Sequence, residues 1–324
     1  MTWREQNTKE WANINELSSF QFANRKIEDN KIRDAKADTY WMATIKTFAK
    51  NRFAMFLVCV LLLLILFTII QPYLPSQKDP NLIYNSRKTG QQIRNQTPTK
   101  DFWFGTNSIG QDLWSRTWSG ARTSLFLGIA VSVIEAIIGT TVGLLWGYVR
   151  KLDAFFTEIY NLLDNIPSTI VLILISYILR PGVTTLLLAL CATGWIQMAR
   201  FIRNQMLLIR DKEFNIASKM LGTSTLRILR KNFMPYLISI ILMRVSLSIP
   251  SVIGSEVFIT YLGLGLPLNI PSLGNLIQAG RAKLMMPGLR YQLLFPTLIV
   301  SIITISFYLI GNAFADAADP KNHR

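Results

Sequence analysis

Phe53-Ala-Met-Phe-Leu-Val-Cys-Val-Leu-Leu-Leu-Leu-Ile-Leu-Phe-Thr-Ile-Ile-Gln-Pro-Tyr73 is built almost entirely of Leu, Ile, Val and Phe. At a helical rise of about 1.5 Å per residue, a run of about 20 residues crosses roughly 30 Å of hydrocarbon. A cleaved signal peptide has a shorter apolar core and lies nearer the chain start. This run follows a polar stretch of roughly 50 residues, so it reads as a retained membrane span.

Five further runs have the length and apolarity of spans, near 121–148, 156–179, 183–203, 235–258 and 292–315. The chain is therefore expected to be an all-α integral membrane protein with six transmembrane helices. Composition agrees, because 50% of the 324 residues are hydrophobic and only 16% are charged. A soluble protein of this length would need an unusually large core to bury them. The net charge of +15 does not indicate nucleic acid, since most Lys and Arg lie in tails and loops between apolar runs. Cys59 and Cys191 both fall inside apolar runs, a spacing that suggests neither a disulfide framework nor a metal site.

Six spans place both termini on one side. With the termini inside, the tails and the loops at 149–155 and 200–234 hold about 22 basic residues, against about 10 in the other loops. The expected organisation is a cytoplasmic tail over 1–52, a first transmembrane helix over 53–74, an extracytoplasmic segment over 75–120, a core over 121–316 and a cytoplasmic C-terminus over 317–324. The tail scatters Trp3, Trp11, Phe20, Phe22 and Trp41 among charges of both signs, which fits an amphipathic helix on the inner surface or a solvated helix. The 75–120 segment is long enough for a small cap but not for a second core.

Polar side chains within apolar runs are costly and usually face a protein interior or a water-filled path. Glu135 lies mid-way along the second span, and Glu158, Asn161 and Asn165 fall on one face of the third by their three-, four- and seven-residue spacings. That face either lines a hydrated passage or forms hydrogen bonds between helices. Glu135 allows proton coupling, a partner such as Arg244, or burial at a subunit interface, and Glu256 joins the candidates near the end of the fifth span. Gly139, Gly143 and Gly147 make a small-residue face suited to close helix packing, either within this chain or across a dimer. Pro167 and Pro250 are expected to kink their spans.

No catalytic constellation emerges. The single histidine, His323, sits beside the C-terminal Arg324, which excludes His-based chemistry in the membrane and disfavours zinc. No Gly-rich phosphate loop ending in Gly-Lys-Ser or Gly-Lys-Thr is present, so the chain is not expected to bind ATP or another cofactor itself.

The longest internal loop on the inner side is 207–235, and it is patterned as helix. Ile216 and Met220 are four apart, and Leu226, Leu229 and Phe233 are spaced by three and four. Gly222 suits a helix C-terminus, Thr223 or Ser224 can cap a following helix, and Pro235 suits the start of span five. A short helix carrying Ala217 and Ser218 before a tight glycine turn offers little side-chain bulk, so it can enter a groove on another protein or lie flat on the membrane.

Here the chain becomes recognisable. Phe214-Asn-Ile-Ala-Ser-Lys-Met-Leu-Gly222, with Pro235 thirteen residues on, resembles the "EAA" loop of binding-protein-dependent ABC importer permeases. Ala217 and Gly222 agree with the family pattern, whereas Ile216 stands at the usual Glu and Ser218 at the second Ala. Phe104-Gly-Thr-Asn-Ser-Ile-Gly-Gln-Asp112, Ser119-Gly-Ala-Arg-Thr-Ser-Leu125, Glu256-Val-Phe-Ile-Thr-Tyr-Leu-Gly-Leu-Gly-Leu-Pro267, Pro271-Ser-Leu-Gly274 and the closing Gly311-Asn-Ala-Phe-Ala-Asp-Ala-Ala-Asp-Pro320 narrow the resemblance to the C-type subunit of oligopeptide and dipeptide permeases.

The resemblance implies a type I ABC importer permease fold in the plasma membrane. It implies a second, B-type permease as partner, two cytoplasmic ABC ATPases and an extracellular peptide-binding protein or lipoprotein, with membrane lipid around the spans and no nucleic acid. ATP and Mg would be used by the ATPases. Glu213, Phe214, Ile216, Ala217, Ser218, Lys219, Leu221 and Gly222 would form the ATPase-coupling loop. A proton-coupled secondary peptide transporter using Glu135 is the alternative, although no internal symmetry of the kind such transporters carry is visible.

Overall fold

The computed structural model describes residues 40–87 and 89–318. The aromatic residues at positions 3, 11, 20 and 22 of the tail and the final residues from 319 onward, His323 included, lie outside the described residues. Two compact units divide after Ala43, and of the first only Tyr40–Ala43, the opening of helix α1 (Tyr40–Lys50), is described.

Helix α2 (Arg52–Ile70) begins where the Asn51 side chain accepts a hydrogen bond from the Ala54 N–H at 3.1 Å, satisfying one of the unpaired donors of the first turn. Ala54, Leu57, Leu61 and Thr68 are buried along one face, while Phe53, Phe56, Leu62 and Leu63 point outward. Such an outward apolar face is suited to hydrocarbon.

After α2 the chain runs irregularly to Asp112. Among the described residues no β-strand forms, only isolated antiparallel bridges pairing Ile83 with Gln111, Asn85 with Gln92 and Thr106 with Asp112. This cap is fastened by Arg116, which is buried and donates to the carbonyl of Pro80 and the side chain of Asn81, each at 3.1 Å, and to the carbonyl of Leu268 at 2.9 Å. The Tyr291 hydroxyl adds a second fastening, lying 2.9 and 2.8 Å from the carbonyls of Gln96 and Thr106.

Helix α3 (Leu113–Tyr148) starts earlier than the apolar run at 121 predicts. Asp112 caps it, accepting from the Ser115 N–H at 2.9 Å. Ser115, Arg116 and Thr117 look like loop by hydropathy, yet they are buried beneath the cap, so the helix continues about two turns beyond the expected span.

The third expected span, 156–179, is not one helix. It is divided into α4 (Arg150–Asp164) and α5 (Ser168–Ile178), bent by 75° at the intervening break. Pro167 lacks an N–H and disfavours helical geometry at Ile166, so the ladder ends there rather than kinking through. Pro250, by contrast, lies inside an uninterrupted α9.

Helix α6 (Val183–Arg210) packs along α3 on the glycine face. A methyl group on Gly139, Gly143 or Gly147 would come within 2.5 Å of Met198 Cβ, 2.5 Å of the Ala199 carbonyl oxygen, or 2.7 Å of Met206 Cβ, respectively. The small-residue stripe thus serves packing within this chain. Beyond α6 come α7 (Glu213–Met220), the single turn α8 (Thr225–Ile228), a π-helical turn over Leu229–Phe233, α9 (Met234–Tyr261), α10 (Leu273–Arg281) and α11 (Tyr291–Ala318).

Among the described residues, three of the larger apolar clusters join these helices as follows. Leu61, Leu125, Ile253, Leu273 and Ile303 bind α2, α3, α9, α10 and α11. Leu127, Leu172, Leu186 and Ile259 bind α3, α5, α6 and α9. Met198, Ile202, Met206, Ile228, Phe233 and Leu237 bind α3 and α6 to the turn leading into α9. Among the described residues five helices are long and apolar enough to cross a membrane, and the bent α4–α5 pair brings the number to six when it is taken as one span.

Candidate functional site

Two places in this architecture gather the candidate residues. The first is the end of the bundle where 207–235 lies. Arg210 closes α6 by donating to the Gly147 carbonyl at 3.0 Å, and Arg203 pairs with Asp153 at 2.7 Å, which draws the ends of α3, α4 and α6 together. Asp211 follows in the loop, where the hydrogen bond from the Arg210 guanidinium holds its carboxyl below the usual carboxylate range, helped by the positive charges of Arg210, Arg150 and Lys219.

Helix α7 then projects outward with Glu213 in its first turn and Lys219 in its last, the favourable order for the helix dipole. Its end is a Schellman motif: the Gly222 N–H donates to the Lys219 carbonyl at 3.0 Å and the Thr223 N–H to the Ser218 carbonyl at 3.1 Å. Gly222 takes φ +73°, the left-handed conformation that glycine accepts without penalty. The glycine stop read from the sequence is therefore present.

At this tip Phe214, Ile216, Ala217, Lys219, Met220 and Leu221 are exposed, with Met220 and Leu221 at 84% and 85%. Large apolar side chains grouped on a charged loop mark a surface that another protein or a lipid layer covers. Ser218 departs from expectation. Instead of offering a bare surface beside Ala217, it donates to the Phe214 carbonyl at 2.8 Å and lies 3.3 Å from Asn232 Nδ2.

Two residues missed by the sequence reading anchor the tip. Asn215 is the buried residue of α7, donating to the Ile209 carbonyl at 2.8 Å and accepting from Asn232 Nδ2 at 2.9 Å. The expected stripe of Leu226, Leu229 and Phe233 divides, with Leu226 exposed and the other two buried, because the π-turn changes the helical register after Ile228. Ser224 occupies the N-cap of α8 without a side-chain cap, and Pro235 sits in the first turn of α9 as expected.

The second place is a cavity of about 430 Å³ among α3, α5, α6 and α9. Glu135 of α3 and Arg244 of α9 both line it, with Thr193 and Gln197 of α6 and Ser248 and Ser251 of α9. Glu135 has room because Gly194 lies against it: a methyl group there would overlap the carboxylate oxygen Oε1. Asp164 at the edge is already engaged, accepting from Gln197 at 2.8 Å and lying 3.8 Å from Arg200.

The other acidic and amide candidates do not join this cavity. Glu158, Asn161 and Asn165 are exposed on α4 and at its end, and the Asn165 amide donates to the Asn161 carbonyl at 2.5 Å. The 75° break explains this, since a straight span would have carried their face alongside α5. Glu256 is wholly buried elsewhere, accepting from Ser124 at 2.9 Å and Thr260 at 3.2 Å, while Ser124 also receives the Leu273 N–H at 3.2 Å. Its carboxylate joins α9 to α3 and α10 rather than facing a path. Among the described residues no group of three or more His, Cys, Asp or Glu could hold a metal ion.

Residues 139–324, more than half of the chain, match the family described as "Binding-protein-dependent transport system inner membrane component". The chain belongs to this family. As a binding-protein-dependent inner membrane component it is a multi-pass transport subunit with an all-helical permease fold, not an enzyme. Residues 39–98 match a second family, the "N-terminal TM domain of oligopeptide transport permease C".

Several relatives of this inner membrane component span nearly the same length. The oligopeptide transport system permease protein AmiD of Streptococcus pneumoniae is 36% identical over 94% of this chain and 97% of its own. The dipeptide transport system permease protein DppC and the oligopeptide transport system permease protein OppC of Bacillus subtilis are each 34% identical over 88% of this chain, and over 87% and 91% of their own lengths. A chain of the MetNI methionine ABC transporter in inward facing conformations aligns with a TM-score of 0.49 and 20% identity, over 62% of this chain and 96% of that one.

Proposed function

We propose that this chain is the C-type permease subunit of an ATP-driven importer of oligopeptides. It forms half of the translocation pathway beside a second, homologous B-type permease. An extracellular binding protein or lipoprotein delivers the peptide, and two cytoplasmic ABC ATPases bind ATP and Mg and supply the motion. The names of the relatives support the peptide cargo.

The observation that carries the coupling role is the α7 tip: a short helix, closed by a left-handed glycine, that presents Phe214, Ile216, Met220 and Leu221 to the outside on a basic loop. An apolar projection closed by a rigid turn can seat in a groove of a partner and transmit a push. Its base is tied to α3, α4 and α6 through Arg210 and Arg203, so a displacement of the tip reaches the spans directly. The excess of Lys and Arg in the tails and in the 149–155 and 200–234 loops favours a cytoplasmic location for that end and for both termini.

The proton-coupled reading of Glu135 gains no support from the family. The experiment that separates them is peptide uptake by vesicles carrying the assembled complex. Uptake that stops when the ATPase active sites are disabled and persists without a proton gradient supports the importer. Disulfide formation between cysteines placed at Ala217 and in the ATPase groove checks the docking directly, and its failure across a scan of the tip counts against the coupling role.

A further inference from the structure

Arg244 lines the cavity and spends none of its five N–H donors on a described residue. Its guanidinium lies over the Phe201 ring at 5.5 Å, and among the described residues no hydrogen bond or ion pair holds its edge. Glu135 is the charged group it acts on across the cavity, yet the two do not come within ion-pair distance, and Glu135 likewise has no hydrogen-bond partner among the described residues. A pair of opposite charges kept apart in an apolar bundle is costly unless water or a ligand completes it.

The rest of the lining has a definite polarity. Ser248 donates its hydroxyl proton to the Val245 carbonyl at 3.1 Å, and Ser255 donates to the Ser251 carbonyl at 3.0 Å. With their protons spent inside the helix, both hydroxyls offer lone pairs to the cavity, where they accept from N–H groups. Ser248, Ser251 and Ser255 follow three- and four-residue spacings on α9, so they form one row of hydroxyls lining the same cavity as the guanidinium, with Ser248 and Ser255 as its acceptors. At about 430 Å³ the cavity falls within the roughly 300–1,000 Å³ of small-ligand pockets.

We propose that this cavity is a binding station for the C-terminal end of a peptide, in which Arg244 receives the free carboxylate, serine hydroxyls accept main-chain N–H groups, and Glu135 is the like charge across the cavity that opposes the incoming carboxylate. The inference rests on the reading of the chain as a peptide permease. It gives a chemical basis for holding peptides irrespective of side chain, because every group involved addresses the main chain or its terminus. Gly194 leaves the space that the Glu135 carboxylate occupies, to one side of Arg244 and not in contact with it.

The test uses the full complex in lipid vesicles, with a labelled tripeptide and its C-terminal amide as probes. Binding of both to the extracellular component is measured separately, so that uptake is expressed per captured peptide. The intact complex is expected to favour the free carboxylate about tenfold, the loss of a charge-assisted contact. Arg244→Gln abolishes that preference by slowing the free peptide and leaving the amide unchanged, and Arg244→Lys retains part of it. Glu135→Gln removes the like charge that opposes the incoming carboxylate and lowers the half-saturating concentration for the free peptide, the opposite direction to any folding defect. Equal slowing of both probes by Arg244→Gln, with no shift in Glu135→Gln, overturns the station. Absence of uptake of either probe by the intact complex instead overturns the peptide-permease reading beneath it.

Discussion

Replacing Gly222 with valine isolates the contribution of one backbone angle to coupling. A Cβ at this position meets no atom within 4 Å, so the substitution introduces no collision. The cost is conformational: at φ +73° an L-residue pays about 1–2 kcal/mol, and a β-branched residue lies at the unfavourable end. Such a change shifts a local equilibrium by a factor of about 5 to 30. The two hydrogen bonds of the Schellman motif, from Gly222 and Thr223, are the ones that open. Coupled uptake is therefore expected to fall by about that factor while the ATPase continues to turn over and the subunit inserts normally, since the tip lies outside the spans. The assay is peptide uptake and phosphate release measured on the same vesicles. Gly222→Asn is the decisive control, because asparagine tolerates the left-handed region. The expected order of uptake is Gly, Asn, Ala, Val. Equal losses for Asn and Val would refute the conformational argument, and a fully active Val variant would refute the role of the tip.

Gly143→Leu is expected to separate α3 from α6, since even a methyl meets the Ala199 carbonyl at 2.5 Å and Ile202 Cβ at 2.8 Å. Its thermal midpoint in detergent should fall clearly below that of Gly143→Ala, whose overpacking already costs about 1–3 kcal/mol of stability. Asn232→Leu leaves the buried Asn215 carbonyl oxygen unpaired, at about 1–3 kcal/mol, and hydrogen exchange across 207–235 should accelerate while the rest of the chain is unchanged. Arg116→Met removes three of the hydrogen bonds that fasten the cap, so limited proteolysis between 75 and 112 should become faster without altering exchange in 207–235.

Membrane spans were legible because hydropathy reports burial in lipid, and the glycine stop at 222 because only one residue type occupies that angle freely. The start of α3 was not, since Ser115, Arg116 and Thr117 are covered by the chain's own cap and not by hydrocarbon. The exposed positions of Glu158, Asn161 and Asn165 follow from a bend whose size no local spacing states. Glu256 has the same composition-level signature as a pathway carboxylate, and only its hydroxyl partners Ser124 and Thr260, one of them 132 residues away, distinguish packing from passage. Ser248, Ser251 and Ser255 could have been found from their three- and four-residue spacing within an apolar run. Asn215 and Asn232 carried no such signal, because their pairing is set by the turn between them.

The contact of α3 with α6 has a mechanical consequence. At three successive turns the backbone of one helix touches the side chains or backbone of the other with less clearance than a methyl group, so neither can roll or tilt alone without collision. The two behave as a double rod, far stiffer in bending than either strand of it, and force applied at the Arg210 end arrives at the far end with little lost to flexure. Compliance is left to the break before α5, where no helical hydrogen bond crosses Pro167.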